Sequence, residues 1–132
     1  MSTQQLADLT VSYKSSTDLS ATAHENKLVV LSATEGMIEL ANASSDLPIG
    51  VLQNLPKDQA AAAVSTLSGA VMEIQSDGSG TAISVGDRVG PNTAGRVVSV
   101  NTDNWPFVGL AEQASQTAGL IIKVRFTGPQ RV

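Results

Sequence analysis

The amino-acid sequence predicts an all-β fold, mainly strands with at most one or two short helices. Short apolar runs recur between turn-forming residues about every 8–12 residues, the spacing of a β-sandwich or barrel. By the usual size prior, a chain of 132 residues forms one domain. Aromatic residues make up only 3% of the chain and hydrophobic residues 42%, so Ala, Val, Leu and Ile must fill the core.

Residues 1–24 are mostly polar and are predicted to form an N-terminal arm that becomes ordered on binding. Within it, Leu9, Val11 and Tyr13 alternate with polar residues, a pattern able to pair as an isolated strand. These three residues are the arm's candidate contacts with a partner. Residues 25–132 are assigned to a single β-rich domain.

The first strong strand signals follow the arm. The stretch KLVVLSATEGMIELA predicts a β-hairpin that closes on Gly36. The loop NASSDLP then leads into IGVLQNL, an apolar run with Gly50 inside it. A glycine inside a strand indicates a bulge or the close approach of another backbone, and Gly109 in PFVGL has the same setting.

The Ala-rich stretch that follows fits two structures. Pro56, the acid after it and the run of alanines are helix signals. The alternation of AVMEIQ, beyond a break at Gly69, is typical of a strand. The sequence favours strand, turn and strand, and a short helix over residues 59–67 stays the alternative.

The stretch GDRVGPNTAGRVVSV has the glycine spacing of a phosphate-binding P-loop at Gly90 and Gly95. The motif requires Lys and then Ser or Thr after its second glycine, and Arg96 and Val97 stand there instead. A P-loop also runs into a helix, whereas RVVSV is strand-like. The sequence therefore predicts a hairpin here and argues against a nucleotide site.

The stretch NWPF holds the main concentration of aromatic residues. Trp105, Pro106 and Phe107 form either a plug of the core or the anchor of an interface, because aromatic residues are enriched in both. After them, LIIKVRF predicts the last strand. The tail TGPQRV is expected to leave the sheet, because its proline cannot donate a ladder hydrogen bond.

Charge and composition argue against several functions. The net charge of −4 and the scattered basic residues argue against nucleic-acid binding, and no apolar run approaches the length of a membrane span. The chain has no cysteine, its carboxylates are dispersed, and its only histidine, His24, is expected to lie exposed in the arm. No catalytic, metal or cofactor site is predicted, and the chain is not expected to be an enzyme.

The order of the segments carries a resemblance to a known family. LVVLSATEGMIELA is followed by PIGVLQN, by AAAAVSTLSGAVMEI, by VGDRV and AGRVV, by VGLAEQA and by LIIKVRF. This order, over residues 18–126, resembles that of the small capsid cement, or decoration, proteins of tailed bacteriophages.

The resemblance implies a compact β-tulip or barrel-like domain that assembles as a homotrimer. Its partner would be the major capsid protein, bound on the outer surface of the expanded head at three-fold or quasi-three-fold positions. Such a protein is made in the cytoplasm of the host bacterium and stabilises the shell. The candidate partner contacts are then Leu9, Val11, Tyr13, Trp105, Pro106 and Phe107. The alternative is a small ligand-binding or regulatory β-barrel without catalysis.

Overall fold

Strands form in this protein where short aliphatic runs are bounded by glycine, proline or polar turns. The computed structural model describes residues 10–44, 46–57, 60–65, 69–101 and 105–131. The all-β prediction is confirmed: within those residues the regular structure consists of strands and one short 3-10 helix, Thr22–His24. The strands are β1 (Thr10–Ser15), β2 (Leu28–Leu31), β3 (Met37–Leu40), β4 (Gly50–Leu52), β5 (Ala61–Ser65), β6 (Val71–Asp77), β7 (Arg88–Pro91), β8 (Val97–Ser99), β9 (Pro106–Ala111) and β10 (Ala118–Arg131).

The strands close into two five-stranded barrels. The first barrel has the strand order β1-β3-β2-β4-β5, and the second has the order β10-β6-β8-β7-β9. The β1–β3 and β6–β8 pairs are parallel, and the other neighbouring pairs are antiparallel. Because closure gives each strand a neighbour on both sides, unpaired sheet edges are limited to strand ends that outrun a neighbour.

Part of the stretch assigned to the N-terminal arm belongs to the first barrel. Thr10–Ser15 form β1, which holds Val11 and Tyr13, and Thr22–His24 form the 3-10 helix. Residues 1–9 lie outside the described residues. The arm itself, and its boundary with a domain of residues 25–132, therefore stay predictions.

The two predicted hairpins are both present, and a glycine with positive φ closes each turn. Gly36, with φ of 77°, lies between β2 and β3. In the turn between β7 and β8, the Asn92 side-chain oxygen accepts hydrogen bonds from the backbone N–H groups of Ala94 (2.9 Å) and Arg96 (3.0 Å). Gly95 has φ of 75° there. The stretch that resembles a P-loop is therefore a hairpin turn, as predicted.

Two further sequence predictions have opposite outcomes. The Ala-rich stretch contains strand β5, Ala61–Ser65, so the preference for a strand over a helix is correct. The prediction that the last strand ends before Thr127 is wrong, because β10 continues to Arg131 and pairs with β9 again after a register shift. Gly128, with φ of 82°, lies within that shift, and a bulge is where a sheet tolerates the following proline.

Two hydrophobic clusters share strands of the first barrel. Alternate residues of β2 and β4 point to opposite faces, and both faces are buried: Leu28 and Val51 belong to the larger cluster, Val29 and Leu52 to the smaller. Most of the larger cluster comes from the second barrel, including the fully buried Phe126. The larger cluster is therefore a core shared by both barrels, whereas the smaller cluster belongs to the first barrel.

Buried polar contacts complete the junction between the barrels. The Gln75 side-chain amide of β6 donates to the carbonyl oxygens of Ala23 and Glu25, both at 2.7 Å, and its oxygen accepts from Arg96 Nε at 3.2 Å. The Leu28 backbone N–H donates to the Gly95 carbonyl at 2.8 Å. These bonds satisfy polar groups that burial would otherwise leave unpaired, and they fix the 3-10 helix against the second barrel.

Candidate functional site

Trp105 is the exposed member of the aromatic stretch at the start of β9. Its side chain is 38% exposed, whereas Pro106 is buried and Phe107 is 8% exposed. The Arg88 guanidinium lies over the Phe107 ring, 5.6 Å from its centroid, within the range of a cation–π contact. Of these three candidates, Trp105 therefore has the ring available to a partner.

A cavity of about 220 Å³ opens beside Trp105. It lies where a loop of the first barrel meets the β7–β8 hairpin of the second. Its lining combines aliphatic groups with hydroxyl and amide groups and consists of Ser44, Pro91, Val98, Ser99, Val100, Asn101 and Trp105. The sequence placed the aromatic residue but gave no indication that these segments converge around it.

The candidate residues of the N-terminal segment lie in the other barrel. Leu9 lies outside the described residues. Val11 pairs with Val64 of β5, and Tyr13 pairs with Ala62. Tyr13 is half-buried and packs against the smaller hydrophobic cluster. The five described candidates thus lie in or next to two separate strands of two barrels, and the contact of all six with a partner stays a prediction.

Strand β1 is paired unequally on its two sides. Its ladder with β5 spans Thr10–Lys14, whereas its ladder with β3 joins Lys14 and Ser15 only. The N-terminal half of β1 therefore runs along β5 beyond the β3 ladder. Where a strand is paired on one side only, the backbone groups of its other side can form hydrogen bonds with a strand added by another chain.

The first barrel also carries a groove of about 290 Å³ that the sequence did not reveal. Leu31 and Leu47, which are 59% and 44% exposed, lie in it beside the carboxylates of Glu39 and Asp46. The Asp46 carboxylate accepts hydrogen bonds from the backbone N–H groups of Asn42 (2.9 Å) and Ala43 (3.1 Å). We call this surface the acidic groove; it is lined by Val30, Leu31, Glu39, Asn42, Asp46, Leu47 and Ile49.

The second barrel carries a row of exposed side chains on directly opposite positions of four strands. Leu110 of β9 pairs with Arg88 of β7 on one side and with Arg125 of β10 on the other, and Arg125 pairs with Val71 of β6. All four side chains are exposed, because directly paired residues point to the same face and this face is the outer one. We call Arg88, Leu110, Arg125 and Val71 the arginine row.

The described part of the chain has neither a metal-binding cluster nor a membrane-spanning helix. None of its His, Asp and Glu side chains form a group of three or more able to hold a metal ion. No helix there has the length and apolar character needed to cross a bilayer. The expectation that the chain uses no metal, cofactor or catalytic set stays a prediction.

His24 does not have the exposed position that the sequence predicted. It is half-buried, and its Nδ1 is buried with no hydrogen-bond partner among the described residues. Burial lowers the pKa of His24, the charge of Lys27 lowers it further, and Asp18 opposes the shift. The neutral imidazole is therefore favoured in the folded protein.

Stability is expected to fall on mild acidification because of His24. The unfolded chain binds the proton near the ordinary pKa of 6.5 and the folded chain binds it at lower pH, so the free energy of unfolding decreases as pH falls below 6.5. Urea unfolding at pH 7.5 and 5.5 measures this decrease, and His24→Gln should reduce it. An equal decrease in both proteins would contradict the assignment. Asp18 and Asp77 also have lowered pKa values, but they change the free energy of unfolding only at pH values below those of this test.

No protein-family model and no curated protein matches this sequence. Among solved structures, the fold is shared with a structural component of a bacteriophage head. That structure is the N base of head fiber gp8.5 in bacteriophage phi29; it matches 94% of this chain and 98% of that chain with a TM-score of 0.69 and 16% sequence identity. At this identity the likeness is one of fold.

Proposed function

We propose that this protein is a non-enzymatic structural component of a tailed-phage head, acting as a capsid cement protein. It binds the outer surface of the expanded head at three-fold or quasi-three-fold positions. There it holds neighbouring copies of the major capsid protein together and stabilises the shell against internal pressure. The active form is a homotrimer.

One observation carries this proposal: the fold matches that of a phage head fiber base over nearly the whole of both chains. A match of 94% and 98% leaves little of either chain outside the shared fold. Because one fold hosts many functions, the match alone gives a class of candidate functions. The ordered segments that resemble capsid cement proteins favour the cement role within that class.

The pairing of β1 supports a proposal for how the protein attaches. The N-terminal half of β1 presents one side outside the β3 ladder, and residues 1–9 directly precede it. We propose that this segment adds to a sheet edge of the capsid protein, where main-chain hydrogen bonds provide affinity and side chains such as Tyr13 and Trp105 add contacts. A trimer would engage several capsid subunits at once, so a modest affinity per copy suffices.

Binding to heads is the direct test. Purified protein is mixed with emptied, expanded heads that lack any cement protein, and the heads are pelleted and then heated. We expect saturable co-sedimentation and a higher rupture temperature. Protein that stays in the supernatant while the heads rupture at an unchanged temperature would disprove the cement function. Unexpanded heads, on which the expanded lattice positions are not yet formed, serve as the control.

Deleting residues 1–9 tests the attachment segment without removing a described residue of β1. We expect capsid affinity to fall about tenfold or more, since the segment contributes contacts, while the thermal midpoint stays within a few degrees. A variant with these residues replaced by Gly and Ser at equal length separates the effect of sequence from that of length. Undiminished binding by the truncated protein would remove the segment from the mechanism.

The cavity beside Trp105 favours the alternative function, a small ligand-binding barrel without catalysis. Its volume of about 220 Å³ is below the roughly 300–1,000 Å³ of sites for drug-sized ligands, so it would admit only a smaller molecule, and its lining mixes apolar groups with hydroxyl and amide groups. Trp105 is the only tryptophan, so its fluorescence reports occupancy directly. A saturable fluorescence change with a small-molecule panel, in protein that does not bind heads, would establish this alternative.

A further inference from the structure

We propose that copies of this chain bind one another head to tail, the acidic groove of one copy receiving the arginine row of the next. This inference rests on the proposed function, because the assembly concerned is the proposed homotrimer. It names the two surfaces through which copies in that trimer contact one another. Both surfaces combine two exposed aliphatic side chains with two charged side chains, which are acidic in the groove and basic in the row, where Arg125 is already paired with Glu112.

The acidic groove is suited to a cationic, partly apolar partner. Glu39 and Asp46 supply two carboxylates, and none of the residues that line the groove is Lys, Arg or His. Leu31 and Leu47 are among the large hydrophobic residues that the fold leaves exposed. Such exposed aliphatic groups, beside carboxylates that have no ion-pair partner among the described residues, indicate an interaction surface more than a solvated one.

The arginine row presents its charges in a fixed geometry. Arg125 Nε lies 2.8 Å from Glu112 Oε2, and its Nη1 donates to the Gly69 carbonyl at 3.3 Å. Arg88 lies over the Phe107 ring. Because these contacts restrict both side chains before binding, less conformational entropy is lost when a partner binds. Leu110 and Val71, 38% and 43% exposed, add apolar area between and beside the guanidinium groups.

The distribution of charge along the chain supports the pairing of these surfaces. Residues 1–65 hold seven of the twelve acidic residues and three of the eight basic residues, whereas residues 66–132 hold five of each. The N-terminal half of the chain is therefore acidic and the C-terminal half is balanced, and two of the five basic residues of the C-terminal half, Arg88 and Arg125, lie in the row. Complementary charge of this kind orients an encounter between two copies and selects against other orientations.

Neither surface is complementary to itself. A symmetric contact of groove with groove would bring four carboxylates together, and a contact of row with row would bring four guanidinium groups together with only the two Glu112 carboxylates to offset them. The charges therefore select a heterologous contact, in which two different surfaces meet. A heterologous contact closes into a ring when its rotation allows, which yields the proposed trimer, and otherwise extends into a filament.

Two substitutions test the contact. Leu47→Lys places a cation in the groove and Leu110→Asp places an acid in the row, so each should weaken self-association about tenfold or more in sedimentation equilibrium. The matched control is Leu120, a 46% exposed leucine on β10 five residues before Arg125; Leu120→Asp and Leu120→Lys should associate like the wild type. Thermal unfolding confirms that each variant is folded. Unchanged association of Leu47→Lys and Leu110→Asp would overturn the proposal.

Mixing the two variants tests which surfaces meet. Leu47→Lys keeps an intact row and Leu110→Asp keeps an intact groove, so the mixture should recover association in complexes that contain both variants. A mixture that stays as dissociated as its components would overturn the pairing of groove with row. Because exposed ion pairs contribute, association of the wild type should also weaken as salt is raised.

Head binding and self-association are measured separately, so that failure of this inference can be distinguished from failure of the proposed function. If wild-type protein binds heads but is monomeric at every concentration, the inference fails and head binding stands. If it self-associates through these two surfaces but never binds heads, the inference stands and the proposed function fails.

Discussion

Replacing Phe126 with alanine is expected to lower the free energy of unfolding by about 3–5 kcal/mol, as for other fully buried phenylalanines. Phe126 is fully buried and heads the large side chains of the core by volume. Its cluster includes Leu28 and Val51 of the first barrel, so the cavity left by the truncation weakens contacts of both barrels. Urea unfolding followed by tryptophan fluorescence and by circular dichroism measures the change.

The two barrels are expected to unfold together in this variant. Trp105 reports on the second barrel, and far-ultraviolet circular dichroism reports on all strands, so coincident transitions indicate one cooperative unit. Phe126→Leu keeps most of the apolar volume and serves as the control with a smaller loss. Two separate transitions, only one of them shifted, would contradict the shared core.

Replacing Gly109 with alanine is expected to cost about 3 kcal/mol, near the upper end for an overpacked site. A Cβ on Gly109 would clash with the Arg125 carbonyl oxygen and would lie 2.9 Å from Val124 Cγ1. The backbone of β10 must move to admit the methyl group, since a carbonyl oxygen of the ladder cannot rotate away. The thermal midpoint should drop by roughly 10 °C for a chain of this size.

Gly80 provides the matched control for Gly109. A Cβ built on Gly80 meets nothing within 4 Å, and its φ lies outside the left-handed region. Gly80→Ala should therefore leave the thermal midpoint unchanged or slightly raised, because alanine restricts the unfolded chain more than glycine does. Equal midpoints for Gly109→Ala and Gly80→Ala would show that β9 and β10 are not closely packed at this point.

The sequence predicted those parts of the fold that depend on neighbouring residues. Gly36 and Gly95 mark turns by their own conformational freedom, and the strands on either side alternate or are rich in β-branched residues, so both hairpins were found. For Gly109 the sequence predicted either a bulge or a close backbone approach, and the Arg125 backbone beside it shows the close approach. Local turn chemistry is readable in a single sequence because the residues that decide it are adjacent.

Barrel closure could not be predicted in this way. The first barrel closes through pairs such as Val11 with Val64, and the second through pairs such as Arg125 with Val71, which are separated by about fifty residues. Nothing in either strand specifies its distant partner. The extension of β10 past Pro129 was missed because the rule that proline ends a strand does not take account of a bulge at Gly128.

The candidate surfaces were predicted in part. The sequence identified Trp105 as a concentrated aromatic feature, and that side chain is exposed. Leu31 and Leu110 each belong to apolar runs that predict buried strands, and the sequence does not show that the fold leaves them at the surface. Exposure of an aliphatic residue is decided by what packs over it, and that is set by the arrangement of the two barrels.

The unequal pairing of β1 determines how the fold responds to mechanical load. If residues 1–9 are anchored to a shell, tension from internal pressure on the expanded head pulls along the axis of β1. The five antiparallel residue pairs between β1 and β5 are then loaded in shear, so they must break together instead of opening one after another. The two parallel pairs with β3 at the far end add to this resistance. A short strand in this geometry forms a stronger tether than its length suggests.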